Sequence, residues 1–313
     1  MQYEEAVAAN PPVAPAVAAR PAAVGSVSVP LDAGVAEHIR EAVASGHVLE
    51  VVVEGDLAHL TAAVDACRAA GRRLRVLGEP SPDQLPPAAA GEGWSRQEVG
   101  GRTSWLLERR PRPAAPLAVK RLLDVVAVIL SLPLLVPVFA AVALAIKLSS
   151  PGPVFYRWRV VGRDGRRFTG YKFRTMRRDA DSLREELVGF NEMTGPVFKM
   201  ARDPRITPLG AFLRRYSVDE LPQLWSVLVG DMSLVGPRPA FPEEYGRFEL
   251  WQLRKLTVTP GLTCLWQVNG RNRIADFSEW ARLDLEYIDR WSLWLDLRII
   301  AKTFLSVLRG TGR

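Results

Sequence analysis

The sequence predicts an α+β protein in two parts. A small α/β domain comes first, followed by a helical, membrane-associated domain with a re-entrant membrane hairpin and a small β-hairpin region. Three observations predict this. Residues 27–110 alternate strand-like and helix-like apolar patterns, Val125–Ile146 is a run of 22 residues without a charge, and residues 148–313 combine one hairpin pattern with several amphipathic helical stretches.

Residues 1–26 are rich in Ala and Pro, which give little to pack, and predict a disordered tail. They lack a basic stretch leading into an apolar one, so no signal peptide is expected. SVSVPL reads as a strand, and AGVAEHIREAVASG places Val35, Ile39 and Val43 at helical spacing. HVLEVVVEG reads as a buried strand, LAHLTAAVDACRAAG as a helix and RRLRVLG as a further strand. WSRQEV and TSWLLER then flank Gly100-Gly101 as a hairpin, closing a βαβαβ-type domain over 27–110. Its three histidines, His38, His47 and His59, are scattered with no Cys/His cluster, so they read as ordinary surface or core residues. The domain shows no chemistry, which leaves a regulatory or interaction role.

Residues 111–118 are Pro-rich and predict a stiff linker. The uncharged run that follows is long enough to cross a bilayer, which takes about 20 residues. A soluble core helix is rarely so long and so uniformly apolar. Two features argue against a simple span. Pro133 and Pro137 fall mid-run, where a helix loses backbone bonds and kinks. Lys120 and Arg121 precede the run and Lys147, Arg157 and Arg159 follow it, holding both ends on the cytoplasmic side. A helix–break–helix hairpin over 119–147, dipping into one leaflet, satisfies both features; a spanning helix is the alternative.

Beyond the membrane segment, FYRWRVV and RRFTGYKF flank Gly-Arg-Asp-Gly as a hairpin. Helices are expected at 176–190, 208–216, 219–229, 241–257 and 276–308, the last two bearing Trp251, Trp280, Trp291 and Trp294. Those tryptophans suit either a membrane interface or a core.

Charge is unevenly placed. Residues 1–119 carry 11 Arg and 14 acidic side chains, a net of −3, whereas 120–313 carry 30 basic and 20 acidic ones, a net of +10. The second half is thus the part expected to meet phosphates, nucleic acid or an acidic membrane face. Cys67 and Cys264 are the only cysteines, which gives no disulfide framework and suits a reducing compartment. The second half contains no His and neither a GxxxxGK[ST] loop nor GxGxxG. His-based acid–base chemistry, Ser–His triads and Cys/His zinc sites are therefore excluded there. The reaction must use carboxylates, Lys or Arg, and a bound hard cation.

That directs attention to SVDELPQ (217–223), where Asp219 and Glu220 are adjacent. Ser217 with Glu220 fits a capping box, and Asp219 as an N-cap would place Pro222 early in the helix; either reading is structural. In the chemical reading one carboxylate attacks phosphorus and the other holds a metal, with the mutual repulsion of anions neutralised by Mg²⁺, Arg, Lys and a helix N-terminus. Candidate cations are Lys172, Arg174, Lys199, Arg205, Arg214, Arg215 and Arg238.

KR–LLD (120–124), the apolar insert with Pro137, SPGPVFYR (150–157), YKFRTM (171–176), DPRITPLGAFLRRYSVDELPQLWSVLVGDMSLVGPRP (203–239) and TPGLTCLWQVNGR (259–271) closely resemble the bacterial sugar transferases, the monotopic phosphoglycosyl transferases. The resemblance covers about residues 118–310. It implies transfer of sugar-1-phosphate from a UDP-sugar to a polyprenyl (undecaprenyl) phosphate with release of UMP, an initiating step of exopolysaccharide, capsule or O-antigen synthesis. The residue matching Asp219 is the nucleophile, forming a phosphosugar–enzyme, and the one matching Glu220 helps to hold Mg²⁺. Lys172, Arg174, Arg205, Arg214 and Arg238 are implied phosphate or nucleotide contacts, and Pro137 matches the helix-breaking proline, which favours the re-entrant form. A monotopic protein at the cytoplasmic face of a bacterial inner membrane is expected, with no nucleic-acid partner and with a homodimer left open. The alternatives are an ordinary UDP-sugar glycosyltransferase and an inactive membrane scaffold.

Some residues depart from the family pattern. Val136 precedes Pro137 where Ser is usual, and Trp158-Arg159-Val160-Val161-Gly162 replaces Q-x-R-x-G. Cys264 stands in place of a Gly and Ser226 in place of an Asn.

Overall fold

The structure is a computed structural model and describes residues 25–45, 48–89, 92–109, 114–270 and 274–310. The tail expected over 1–26 lies outside these residues up to position 24, as does His47, whereas Ser26 opens a strand.

The first domain forms as its periodicities predict. Strands β1 (Ser26–Leu31), β2 (Glu50–Gly55) and β3 (Arg73–Leu77) alternate with helices α1 (Val35–Ser45) and α2 (Leu60–Ala70), and β4 (Glu92–Val99) and β5 (Arg102–Arg109) form the hairpin. The sheet order is β1-β2-β3-β5-β4, with the first three strands parallel and the hairpin antiparallel. Val35, Ile39 and Val43 are buried on one face of α1.

Helix α3 runs from Ala114 to Ser149. Two expectations change here. The stretch read as a linker is helical from Ala114 onward, its earlier residues lying outside the described ones. The expected helix–break–helix hairpin is one helical element that continues through Pro133 and Pro137. Each proline removes one backbone bond, which bends a helix but need not end it while its neighbours stay helical. This is a helix long and apolar enough to cross a membrane. Both of its ends rest on the same domain. Near its start, Lys120 Nζ donates to Asp296 Oδ2 at 2.7 Å and to the Val235 carbonyl at 3.0 Å, and Asp124 accepts from Ser233 Oγ at 2.7 Å. Toward its end, Phe139, Val142 and Ile146 pack with Phe173 and Leu213. Between these contacts Ile129, Leu130, Leu132, Leu134 and Val136 are exposed.

The second domain is built from short pieces. Strands β6 (Phe155–Val161) and β7 (Arg167–Phe173) form the expected hairpin, in which Trp158 faces Gly170. The charged helix expected over 176–190 is reduced to α4 (Arg184–Leu187) and a 3₁₀ turn; before it, Ser182 and Asp179 bond locally and compete with helix formation. Helix α5 (Pro208–Arg215), capped by Thr207, matches its prediction. Next come a 3₁₀ turn (Val218–Gln223), α6 (Leu224–Val229) and β8 (Ser233–Val235). The helix expected over 241–257 splits into α7 (Pro242–Tyr245), α8 (Leu250–Leu253) and a 3₁₀ turn (Arg254–Thr257). Strand β9 (Gly261–Thr263) pairs parallel with β8 and leads into α9 (Leu265–Val268). The long helix expected over 276–308 is two: α10 (Phe277–Asp289) and α11 (Leu293–Leu308), because Ser292 caps a new N-terminus by accepting from Leu295 N.

The four tryptophans differ in exposure. Trp280 is core, Trp251 and Trp291 are half-buried, and Trp294 stands exposed on α11 beside Leu297, with Phe304, Leu305 and Leu308 also exposed further along it. The two domains share one apolar core that joins Val43, Val64 and Cys67 to Tyr245, Phe248, Leu253 and Trp266. Tyr245 Oη donates to the Val43 carbonyl, and Arg72 Nη1 reaches Asp164 Oδ1 in the β6–β7 loop at 3.4 Å.

Candidate active site

The site is a cleft of about 830 Å³ with β7 on one side, the turn carrying Asp219 and Glu220 on another, and Arg214, Arg238 and Trp266 completing its walls. The SVDELPQ segment takes neither expected capping form. Ser217 is the N-cap residue but makes no side-chain cap bond, and its φ of 54° lies in the left-handed region. That conformation costs an ordinary residue about 1–2 kcal/mol. The turn is 3₁₀, which accommodates Pro222 and carries both Asp219 and Glu220 to the cleft. Asp219, read as a possible N-cap, is instead inside the first turn.

Asp219 is buried, and Glu220 is nearly so. Lys172 Nζ donates to Glu220 Oε1 at 2.9 Å, and Arg238 Nη1 approaches the same oxygen at 3.8 Å. Burial pulls the Lys172 ammonium below the usual lysine range, opposed chiefly by the charge of Glu220. Arg214 is fixed by its Nε–H donating to Thr175 Oγ1 at 2.9 Å. Burial lowers its pKa as well, against the pull of Asp219, Asp203 and Glu220. The structure therefore gathers Lys172, Arg214 and Arg238 around the carboxylate pair.

Arg174 and Arg205 also line the cleft, but their donors are engaged by protein. Arg174 donates to the Ser150 carbonyl, Ser150 Oγ and the Pro151 carbonyl at 2.7–2.9 Å, clamping the chain between α3 and β6. Arg205 forms a two-point pair with Asp203, Nε to Oδ1 at 2.9 Å and Nη2 to Oδ2 at 2.6 Å. Pro137 is inside α3 and is not among the residues that line the cleft.

Sequence reasoning passed over Thr175 although YKFRTM contains it. It also passed over the stacked pair Trp266–Trp280, whose ring centroids are 3.9 Å apart in the cleft wall. Trp158, a departure from the family pattern, has its ring centroid 4.3 Å from Lys172 Nζ.

The donor set bears on a metal. Among the described residues no group of three His, Cys, Asp or Glu side chains is placed to hold an ion by itself. Asp219 and Glu220 offer carboxylate oxygens, and Mg²⁺ commonly takes one or two protein carboxylates while phosphate oxygens and water complete its shell. The residues fit an ion that arrives with a phosphorylated substrate.

Arranged in this way, the site can bring a carboxylate to a phosphate inside a cationic frame. Comparison with known proteins places the chain in a family. The family model described as bacterial sugar transferase matches residues 115–310, more than half of the chain. The galactosyl transferase CpsE of Streptococcus agalactiae is 47% identical over 197 residues, covering 63% of this chain and 43% of its own. The exopolysaccharide production protein ExoY of Rhizobium meliloti is 39% identical over 205 residues, covering 64% of this chain and 90% of its own. The undecaprenyl-phosphate galactose phosphotransferase of Salmonella typhimurium is 43% identical over 165 residues, covering 51% of this chain and 34% of its own. The chain thus spans nine-tenths of ExoY but less than half of the other two. The α/β domain over 27–110 lies outside the family match. With its carboxylate pair, its cations and most of its length inside that match, the chain belongs to the bacterial sugar transferase family.

Proposed function

We propose that the chain transfers sugar-1-phosphate from a UDP-sugar to a polyprenyl phosphate, giving polyprenyl-diphosphate-sugar and UMP, as a first membrane step of an exopolysaccharide or related glycan. The observation that carries this reading is the carboxylate pair Asp219–Glu220, buried in a cleft with Lys172, Arg214 and Arg238, in a half of the protein without histidine. The Salmonella typhimurium relative, named as an undecaprenyl-phosphate galactose phosphotransferase, supports the same substrate classes.

In this reading an Asp219 oxygen attacks the β-phosphorus. The bond from that phosphorus to the bridging oxygen breaks, and UMP leaves with the electron pair. A phosphate oxygen of the polyprenyl carrier then attacks the same phosphorus and returns Asp219 as a free carboxylate. Lys172, Arg214 and Arg238 offset the charge that accumulates on the phosphoryl oxygens. Glu220 would help to hold Mg²⁺, which supplies further charge neutralisation when bound.

The lipid substrate gives α3 its place. A helix with both ends packed on one domain and an exposed apolar middle suits insertion from a single face of the bilayer. The basic residues on either side of it suit the cytoplasmic face. The exposed apolar residues of α11, with Trp294, suit contact with the same leaflet.

The test is incubation of membranes holding the full chain with a panel of UDP-sugars and undecaprenyl phosphate. UMP release that depends on Mg²⁺ and on the lipid is expected. Release of UDP would instead identify an ordinary glycosyltransferase.

A further inference from the structure

We propose that Trp158 is a positioning residue for the transfer reaction: its indole face holds the Lys172 ammonium against Glu220. The proposal rests on the reading of Asp219, Glu220 and Lys172 given above.

Trp158 and Lys172 are neighbours only because of strand register. Trp158 on β6 pairs with Gly170 on β7, so Lys172, two residues further on, is its diagonal neighbour on the same face. The Trp158 side chain is buried, at 2% exposure, with Lys172 Nζ 4.3 Å from the ring centroid. Phe241 meets the ring edge-on, with centroids 5.3 Å apart, and fixes it from another side. Gly170 is required for this arrangement, since a Cβ there would come within 2.3 Å of Trp158 Nε1.

The polar part of the tryptophan separates two roles. Its Nε1 is buried with no hydrogen-bond partner and faces Gly170, not the cleft. A buried unpaired N–H is unfavourable, so an apolar residue would serve better if the position only filled space. The negative face of the indole is what an apolar residue lacks, and a cation over that face in a dry site is held strongly. Glu220 and Asp219 attract the Lys172 ammonium, while Arg238, approaching the same Glu220 oxygen at 3.8 Å, is a like charge that opposes them. The ring keeps the ammonium seated where phosphoryl charge develops.

Two measurements test this on the full-length protein in lipid nanodiscs. The first does not depend on turnover. Protein labelled with ¹³C at lysine ε-carbons should show one resonance shifted upfield by an indole ring current and absent from Lys172→Arg. It should persist, reduced, in Trp158→Phe and vanish in Trp158→Leu. The second is steady-state UMP release. Trp158→Leu should lower kcat about tenfold with KM for the UDP-sugar within about twofold, while Trp158→Phe stays within about threefold of the native rate. Equal losses in Trp158→Phe and Trp158→Leu, or an unchanged kcat in Trp158→Leu, would overturn the proposal. So would the absence of the shifted resonance. If the native protein released no UMP with any sugar while the resonance was present, the failure would lie in the transferase reading and not in the Trp158–Lys172 contact.

Discussion

Lys172 Nζ lies 2.9 Å from Glu220 Oε1, a bond that ties β7 to the turn carrying Asp219. Both partners are mostly buried, so water screens the pair weakly. Lys172→Met should lower turnover by about 10²–10³-fold, the scale of removing one fixed donor from a site of developing charge. Glu220→Gln should fall in the same range and also raise the Mg²⁺ concentration needed for half-maximal rate. UMP release across a Mg²⁺ titration, with circular dichroism to check the fold, measures both.

A second buried pair joins the 3₁₀ turn Arg254–Thr257 to α10. Lys255 Nζ is 2.9 Å from Asp284 Oδ2, with both side chains at 5% exposure or less. Asp284→Leu alone leaves an ammonium buried among Phe248 and Phe277, and should cost about 3–5 kcal/mol. Lys255→Met alone should cost a similar amount. The double variant Asp284→Leu/Lys255→Met should recover most of that loss, because neither charge is then stranded. Unfolding midpoints of the three variants check the cycle.

Both thiols should be unreactive in the native protein. Cys67 and Cys264 are buried, and burial pushes each thiol well above the usual cysteine range. The thiolate is the reactive form, so raising the pH through the ordinary cysteine range should not expose it. Alkylation with iodoacetamide at pH 8–9, read by mass spectrometry, should leave both unmodified in folded protein and modify both after denaturation.

One glycine allows a close approach at the domain interface. Gly71 ends α2 with a φ of 65°, and a Cβ there would come within 2.6 Å of Thr257 Cγ2. Gly71→Ala should destabilise by about 1–2 kcal/mol from the left-handed backbone alone, with the clash added. Thr257→Ser removes that methyl and keeps the hydroxyl bond to the Arg254 carbonyl. Combined with Gly71→Ala it should relieve the clash but not the backbone cost. Thermal unfolding of the single and double variants separates the two terms.

What was legible in the sequence follows the reach of each signal. The strands and helices over 27–110 rest on periods of two and 3.6 residues, which are local, and they formed where expected. Asp219 and Glu220 were legible from their motif and the lack of histidine. The path of α3 was not, because local rules end a helix at proline while its neighbours here stay helical. Nor was the left-handed Ser217, since nothing in SVDELPQ demands a positive φ. Arg174 and Arg205 read as phosphate contacts because charge is visible in sequence and partners are not; Ser150, Pro151 and Asp203 take up their donors. The Trp158–Lys172 contact depends on register between two strands, and only pairing fixes it.

In the proposed reaction Asp219 forms the covalent bond to phosphorus. The most direct measurement is intact-protein and peptide mass spectrometry after rapid acid quench of the enzyme with its UDP-sugar in the absence of polyprenyl phosphate. A mass increase of one sugar phosphate, localised to Asp219, lost on adding polyprenyl phosphate and absent from Asp219→Asn, is expected. Full turnover by Asp219→Asn, or an adduct on another residue, would contradict it.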